Sequence, residues 1–155
     1  MTTLERLCAL CETYETFSYD YLLKLAKDKA DYIYRMVRSR RGDDEATKYL
    51  LTYSALLANC NFRVSEIIYN FFVEATGIKA LDFNQFLLFG RKIIGDLDVK
   101  MMFRETANEL GLPKEFDNAL FIYALAFSAC DGKITDRESG FILEFVPFGD
   151  FSDIK

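Results

Sequence analysis

The sharpest chemical feature of this sequence is a short acidic loop with the sequence ACDGKITDRE. Asp131, Asp136 and Glu138 bring three carboxylates into it, and carboxylate oxygens are the ligands that hard divalent cations prefer. We therefore identify these three residues as candidate ligands of a divalent metal ion. The loop can also be purely structural, because Gly132 permits a turn with positive φ and Thr135 has capping-box spacing to Glu138.

An EF-hand calcium site is a poor explanation of this loop, although its last eight residues, DGKITDRE, match the end of such a loop. An EF-hand needs oxygen ligands from side chains at its first and third positions. Phe127 and Ala129 occupy those positions here. Half of the calcium cage is therefore missing, and we do not expect an EF-hand.

Four cysteines are a second set of possible ligands, and two of them, Cys8 and Cys11, form a CxxC pair. Four thiolates can hold a tetrahedral zinc ion, but a single CxxC without a second pair is a weak signal. Cys8 and Cys11 would lie one helical turn apart on an apolar face, which is typical of buried structural cysteines. We expect no zinc, and free thiols in a reducing compartment.

Most catalytic arrangements are excluded by what the sequence lacks. It contains no histidine, which removes the commonest general base near neutral pH and every Ser–His or Cys–His pair. It contains no glycine-rich phosphate-binding motif. A hydrolase that uses two carboxylates stays open in principle, but no pair of acids stands out. We predict that the protein is not an enzyme and binds no cofactor.

Composition predicts one globular domain over residues 1–155, with 51% hydrophobic and 28% charged residues and enough chain to bury a core. The formal net charge of −5 makes it a poor candidate for binding nucleic acid, which depends on Lys and Arg at phosphates. Arg35, Arg38, Arg40 and Arg41 form a local exception. Acidic residues follow them directly, so we interpret this cluster as the solvated C-terminal end of a helix.

The N-terminal residues do not resemble a signal peptide, because an acid appears early and no continuous apolar stretch follows. No segment approaches the about 20 apolar residues that span a bilayer. We therefore expect a cytoplasmic protein without an integral membrane segment.

Capping residues, glycines, prolines and apolar spacing predict an all-α fold, a compact bundle of about eight helices. The predicted helices are a first one capped by Thr2, then Ser18 to Arg41, a third capped by Asp43 or Asp44 and running to Asn59, a fourth from Ser65 to Thr76, a fifth from Asp82 to about Gly95, a sixth over Leu97 to Leu110, a seventh with Pro113 as its first residue and reaching Ala129, and an eighth from Thr135 that stops at Pro147.

An internal repeat appears when the chain is compared with itself at an offset of 70 residues. The aligned pairs include Leu50 with Leu120, Tyr53 with Tyr123, Cys60 with Cys130, Asn61 with Asp131, and Ser65 with Thr135. Caps, loops and helix stops coincide along with the apolar positions, which favours a duplication over chance. We predict two tandem helix-pair repeats, over about 17–79 and 87–149, in a pseudo-twofold arrangement around one core.

The two repeat loops resemble those of the tellurite-resistance TerB-like family. The match is the segment ACDGKI with Glu138, and more loosely ANCNFRVSE, in which Asn61 and Phe62 replace the family's Asp and Gly. The resemblance extends over about residues 20–147, and only the loops are specific. It implies a helical bundle, a role in stress response or metal resistance without a general enzymatic activity, and metal ligation by Asp131, Asp136 and Glu138.

Two functional hypotheses follow from the sequence. The first is a TerB-like protein-interaction or stress-response adaptor with an unidentified protein partner. The alternative is a divalent-metal-ion-binding protein that uses the acidic loop. The aromatic-rich segment FNQFLLF, beginning at Phe83, could leave an apolar surface for a partner, although burial in the core is the simpler interpretation of its rings.

Overall fold

The computed structural model describes residues 2–60 and 65–147, and within them the chain is all-helical. No strand occurs in these two stretches. The eight helices are α1 (Thr3–Glu15), α2 (Tyr19–Arg41), α3 (Asp43–Asn59), α4 (Glu66–Thr76), α5 (Phe83–Ile93), α6 (Leu97–Leu110), α7 (Lys114–Ala129) and α8 (Asp136–Phe145). The predicted all-α bundle of about eight helices is confirmed within the described residues.

Most helix starts lie where the capping signals predict them. The N-cap residues of α1, α5 and α8 each form a complete capping box with the residue three positions later; they are Thr2, Asp82 and Thr135. Ser18 and Ser65 cap α2 and α4 through their hydroxyl oxygens. These contacts satisfy backbone N–H groups that have no partner within the helix.

Two predicted helix starts are wrong in detail. Gly42, with a φ of 91°, is both the C-cap of α2 and the N-cap of α3. Because this junction needs a left-handed φ, glycine takes the cap position, and Asp43 and Asp44 lie in the first turn instead. Pro113 is the N-cap of α7, one position before the first helical residue.

Helices α3 and α7 form the centre of the molecule, and α2 packs along both of them. The rings of Tyr53 and Tyr123 stack across the centre with centroids 5.8 Å apart. The Tyr53 hydroxyl donates to the carbonyl of Leu120 at 2.7 Å, and the Tyr123 hydroxyl shares a 2.6 Å hydrogen bond with Ser54. Both hydroxyls are therefore paired inside an otherwise apolar core.

Helix bounds agree with the offset of the predicted repeat. Helices α3 and α7 end at Asn59 and Ala129, and α4 and α8 begin at Glu66 and Asp136. The packing of the two halves is uneven, because α2 lies closely against α7 whereas the backbone of α6 scarcely approaches α3. Residues 61–64 of the first repeat loop lie outside the described residues. The tandem pairing therefore stays a prediction.

Candidate functional site

The acidic loop between α7 and α8 holds three carboxylates on three consecutive backbone N–H groups. The N–H of Lys133 donates to Asp131 Oδ1 at 3.3 Å, and the N–H of Thr135 donates to Glu138 Oε1 at 2.9 Å. Between them, the N–H of Ile134 donates to Oε2 of Glu15, the last residue of α1, at 3.1 Å. The backbone N–H groups of the loop thus donate hydrogen bonds to carboxylate oxygens that a bound cation would otherwise coordinate.

Glu138 is the most perturbed of these acids. Glu138 is buried with 5% exposure, and its pKa is raised from 4.5 to about 7, chiefly by burial. The charges of Asp131 and Glu15 contribute to this rise, and the hydrogen bonds from Thr135 oppose it. Near neutral pH, a substantial fraction of the Glu138 carboxyl group is therefore protonated and uncharged.

The three predicted metal ligands are thus engaged unequally. Asp131 and Asp136 are exposed, and Glu138 is buried in its capping box. Within residues 2–60 and 65–147, no three Cys, Asp or Glu side chains are arranged so that they could hold a metal ion. Ligation by Asp131, Asp136 and Glu138 would require rearrangement of these side chains and stays a prediction.

All four cysteines are free, and their surroundings differ from the prediction at one position. Cys11 and Cys130 are buried and Cys60 is partly buried, whereas Cys8 is exposed. The predicted burial of Cys8 is wrong, because the α1 face that packs on the body is centred on Leu7 and Cys11. Burial raises the pKa of Cys11 to about 12 and also raises the pKa values of Cys60 and Cys130.

Two arginines at the end of α2 make polar contacts, one within α2 and one with the end of α6. Arg35 Nε lies 3.0 Å from Asp31 Oδ2. Arg40 Nε donates at 3.0 Å to the carbonyl of Leu110, the last residue of α6. These contacts are those of a charged helix end.

A cavity of about 410 Å³ opens between the C-terminal part of α2 and helices α3, α5 and α6. We call it the α3–α6 groove. Its volume lies in the range typical of ligand-binding pockets. The lining residues are Val37, Arg41, Glu45, Lys48, Tyr49, Thr52, Phe89, Ile93, Val99, Met102, Thr106, Glu109 and Leu110.

The polar groups at the floor of the α3–α6 groove bind one another. The Tyr49 hydroxyl donates to Thr106 Oγ1 at 2.9 Å, and the Thr106 hydroxyl donates to the carbonyl of Met102 at 3.0 Å. The Tyr49 ring packs edge-on against Phe103 at 5.1 Å. The floor is therefore rigid and makes little hydrogen-bonding demand on an occupant.

The mouth of the groove carries both apolar and charged side chains. Met102 is 39% exposed at this mouth. Four of the seven large apolar side chains that are most exposed in the described residues lie on α5 and α6; they are Leu88, Leu97, Met101 and Met102. Of these four, only Met102 lines the groove, and the other three add exposed apolar surface elsewhere on α5 and α6.

Sequence patterns gave little indication of this groove, because its lining comes from four helices. The aromatic-rich segment in α5 was the only pointer, and its residues divide between two environments. Phe86 is fully buried, as the core interpretation predicts. Phe89 lines the groove, and Leu88 is 63% exposed.

Comparison with protein families, curated proteins and solved structures finds no match for this chain. Within the described ranges, no helix combines the length and apolar character needed to cross a membrane. The α3–α6 groove and the acidic loop are therefore judged on their geometry alone.

Proposed function

We propose that this chain is a non-enzymatic, TerB-like protein-interaction module that binds an apolar segment of a partner protein in the α3–α6 groove. The observation that carries the proposal is an apolar cavity of about 410 Å³ whose floor hydroxyls already bind each other. Such a site gains free energy chiefly by burying apolar surface of an occupant.

The groove chemistry supports binding over turnover. Its side chains offer hydroxyls that are paired with each other and charges that lie at the rim. No residue in the lining pairs a nucleophile with a base. An adaptor in a cytoplasmic stress-response complex accords with the resemblance of the acidic loop to TerB-like proteins and with the predicted repeat, since α3 and α7 end, and α4 and α8 begin, 70 residues apart.

Site-specific photo-crosslinking tests the proposal with a matched pair of positions. Met102 and Met101 are neighbours on α6 with the same 39% exposure, but only Met102 lines the groove. A photoreactive residue at 102 should capture a partner protein in cell extract, and one at 101 should capture far less of it. Equal capture at both positions, or none at 102, would refute a groove-centred function.

A further inference from the structure

We infer that the occupant of the α3–α6 groove is an amphipathic α-helix of a partner protein, about three turns long. This inference rests on the proposed function and specifies the conformation and chemistry of the bound segment. Three properties of the groove lead to it: the structure of its walls, its length, and the charges at its mouth.

The walls of the groove require an occupant that satisfies its own backbone. All of the lining residues lie in helices, and away from the helix ends their carbonyl and N–H groups are bonded along the helix axis. An extended peptide would bury its backbone polar groups here without a strand edge to receive them, at a cost of about 1–3 kcal/mol for each group left unpaired. A helix has its backbone bonded internally and presents only side chains.

The dimensions suit a short helix. The α6 wall runs from Val99 to Leu110, which corresponds to about 16 Å at the rise of an α-helix. A helix of about eleven residues covers that distance with apolar side chains at i, i+3 or i+4, and i+7. The flexible thioether of Met102 at the mouth can adapt to the shape of those side chains.

The charges at the mouth favour a protein helix over a lipid. Arg41 and Lys48 are positive, Glu45 and Glu109 are negative, and none of the four forms an ion pair within the described residues. Unpaired charges of both signs suit a helix whose apolar stripe is flanked by acids and bases. A net charge of −5 opposes adsorption to an anionic membrane surface.

Peptide selection on the full-length chain tests the inference. A display library of random 15-residue peptides is selected on immobilised protein, and enriched peptides are measured against the wild type, Met102→Glu and Met101→Glu. We expect enriched sequences with apolar residues at helical spacing, and circular dichroism should show that they gain helix when bound. Met102→Glu should weaken them about tenfold or more, and Met101→Glu should weaken them less than about threefold.

The outcomes separate this inference from the proposed function. Groove-dependent peptides with alternating apolar residues or several prolines would overturn the helix while leaving a groove-centred adaptor intact. Enrichment that ignores Met102→Glu, or no enrichment, would also overturn the helix. In that case the photo-crosslinking at position 102 still decides the proposed function. A second copy of this chain as the captured partner, detected as a dimer by sedimentation, would overturn the assignment to a different protein.

Discussion

Replacing Glu138 with glutamine should remove a large pH dependence from the stability of the protein. The folded state raises the pKa of Glu138 from 4.5 to about 7, so the folded state binds a proton more tightly than the unfolded chain. The free energy of unfolding should therefore fall as the pH rises from about 4.5 to about 7, and it should be level outside that window on account of this group.

The magnitude follows from the size of the shift. A rise from 4.5 to about 7, at 1.36 kcal/mol for each unit, corresponds to about 3 kcal/mol. The side chain is only 5% exposed, so screening by solvent reduces this value little. Glutamine keeps an oxygen that can accept the N–H of Thr135, as it does in natural capping boxes, and it has no proton to release.

Urea unfolding followed by circular dichroism at pH 5 and pH 8 measures the effect. The stability of Glu138→Gln relative to the wild type should rise by about 2–3 kcal/mol between the two pH values, because pH 5 lies just above the unfolded pKa of 4.5. Glu144→Gln is the control, because Glu144 lies exposed on the same helix. A relative stability of Glu138→Gln that is unchanged between pH 5 and pH 8 would show that the buried-acid reasoning is wrong.

Three further predictions concern packing, thiols and metal. Gly90→Ala should destabilise the protein by about 1–3 kcal/mol, since the added Cβ would lie 1.7 Å from Asn59 Nδ2. Gly140→Ala is the control: no atom lies within 4 Å of its added Cβ, so it should stabilise the protein by about 0.5–1 kcal/mol. Similar shifts in melting temperature for the two variants would contradict the packing around Gly90. Ellman's reagent should modify only Cys8 rapidly in the native protein, because the other three thiols are at least partly buried, and all four after unfolding. Calorimetry with calcium, magnesium and zinc tests the acidic loop: heat that disappears in Asp131→Asn would support the metal hypothesis, and no heat at millimolar ion would dismiss it.

Local signals were sufficient to predict the helices. Capping residues such as Ser18 and Thr135 determine helix ends through contacts with atoms only three residues away, so their positions could be read from the sequence. Gly42 was expected to end α2, but its second role as the N-cap of α3 was missed, because the aspartates that follow it gave a competing signal.

The tertiary features could not be predicted, because they depend on contacts that spacing does not encode. Glu15 meets the acidic loop from a position 119 residues away, and the α3–α6 groove exists because α6 stands away from α3. The acidic loop itself was found from its residue types. The hydrogen bond between the Thr135 N–H and Glu138 was indicated by their capping-box spacing, whereas the bond from the Ile134 N–H to Glu15 gave no signal in the sequence.

The hydrogen bond between Glu15 and Ile134 has a consequence for the order of folding during synthesis. Helix α1 is synthesised before α7 and α8, the helices on which it packs. Its apolar residues Leu7 and Cys11 can therefore be buried against these helices only after α7 and α8 have been synthesised. Helix α1 should therefore dock late in folding. A nascent chain truncated before α7 should expose the apolar face of α1 and bind chaperones through it.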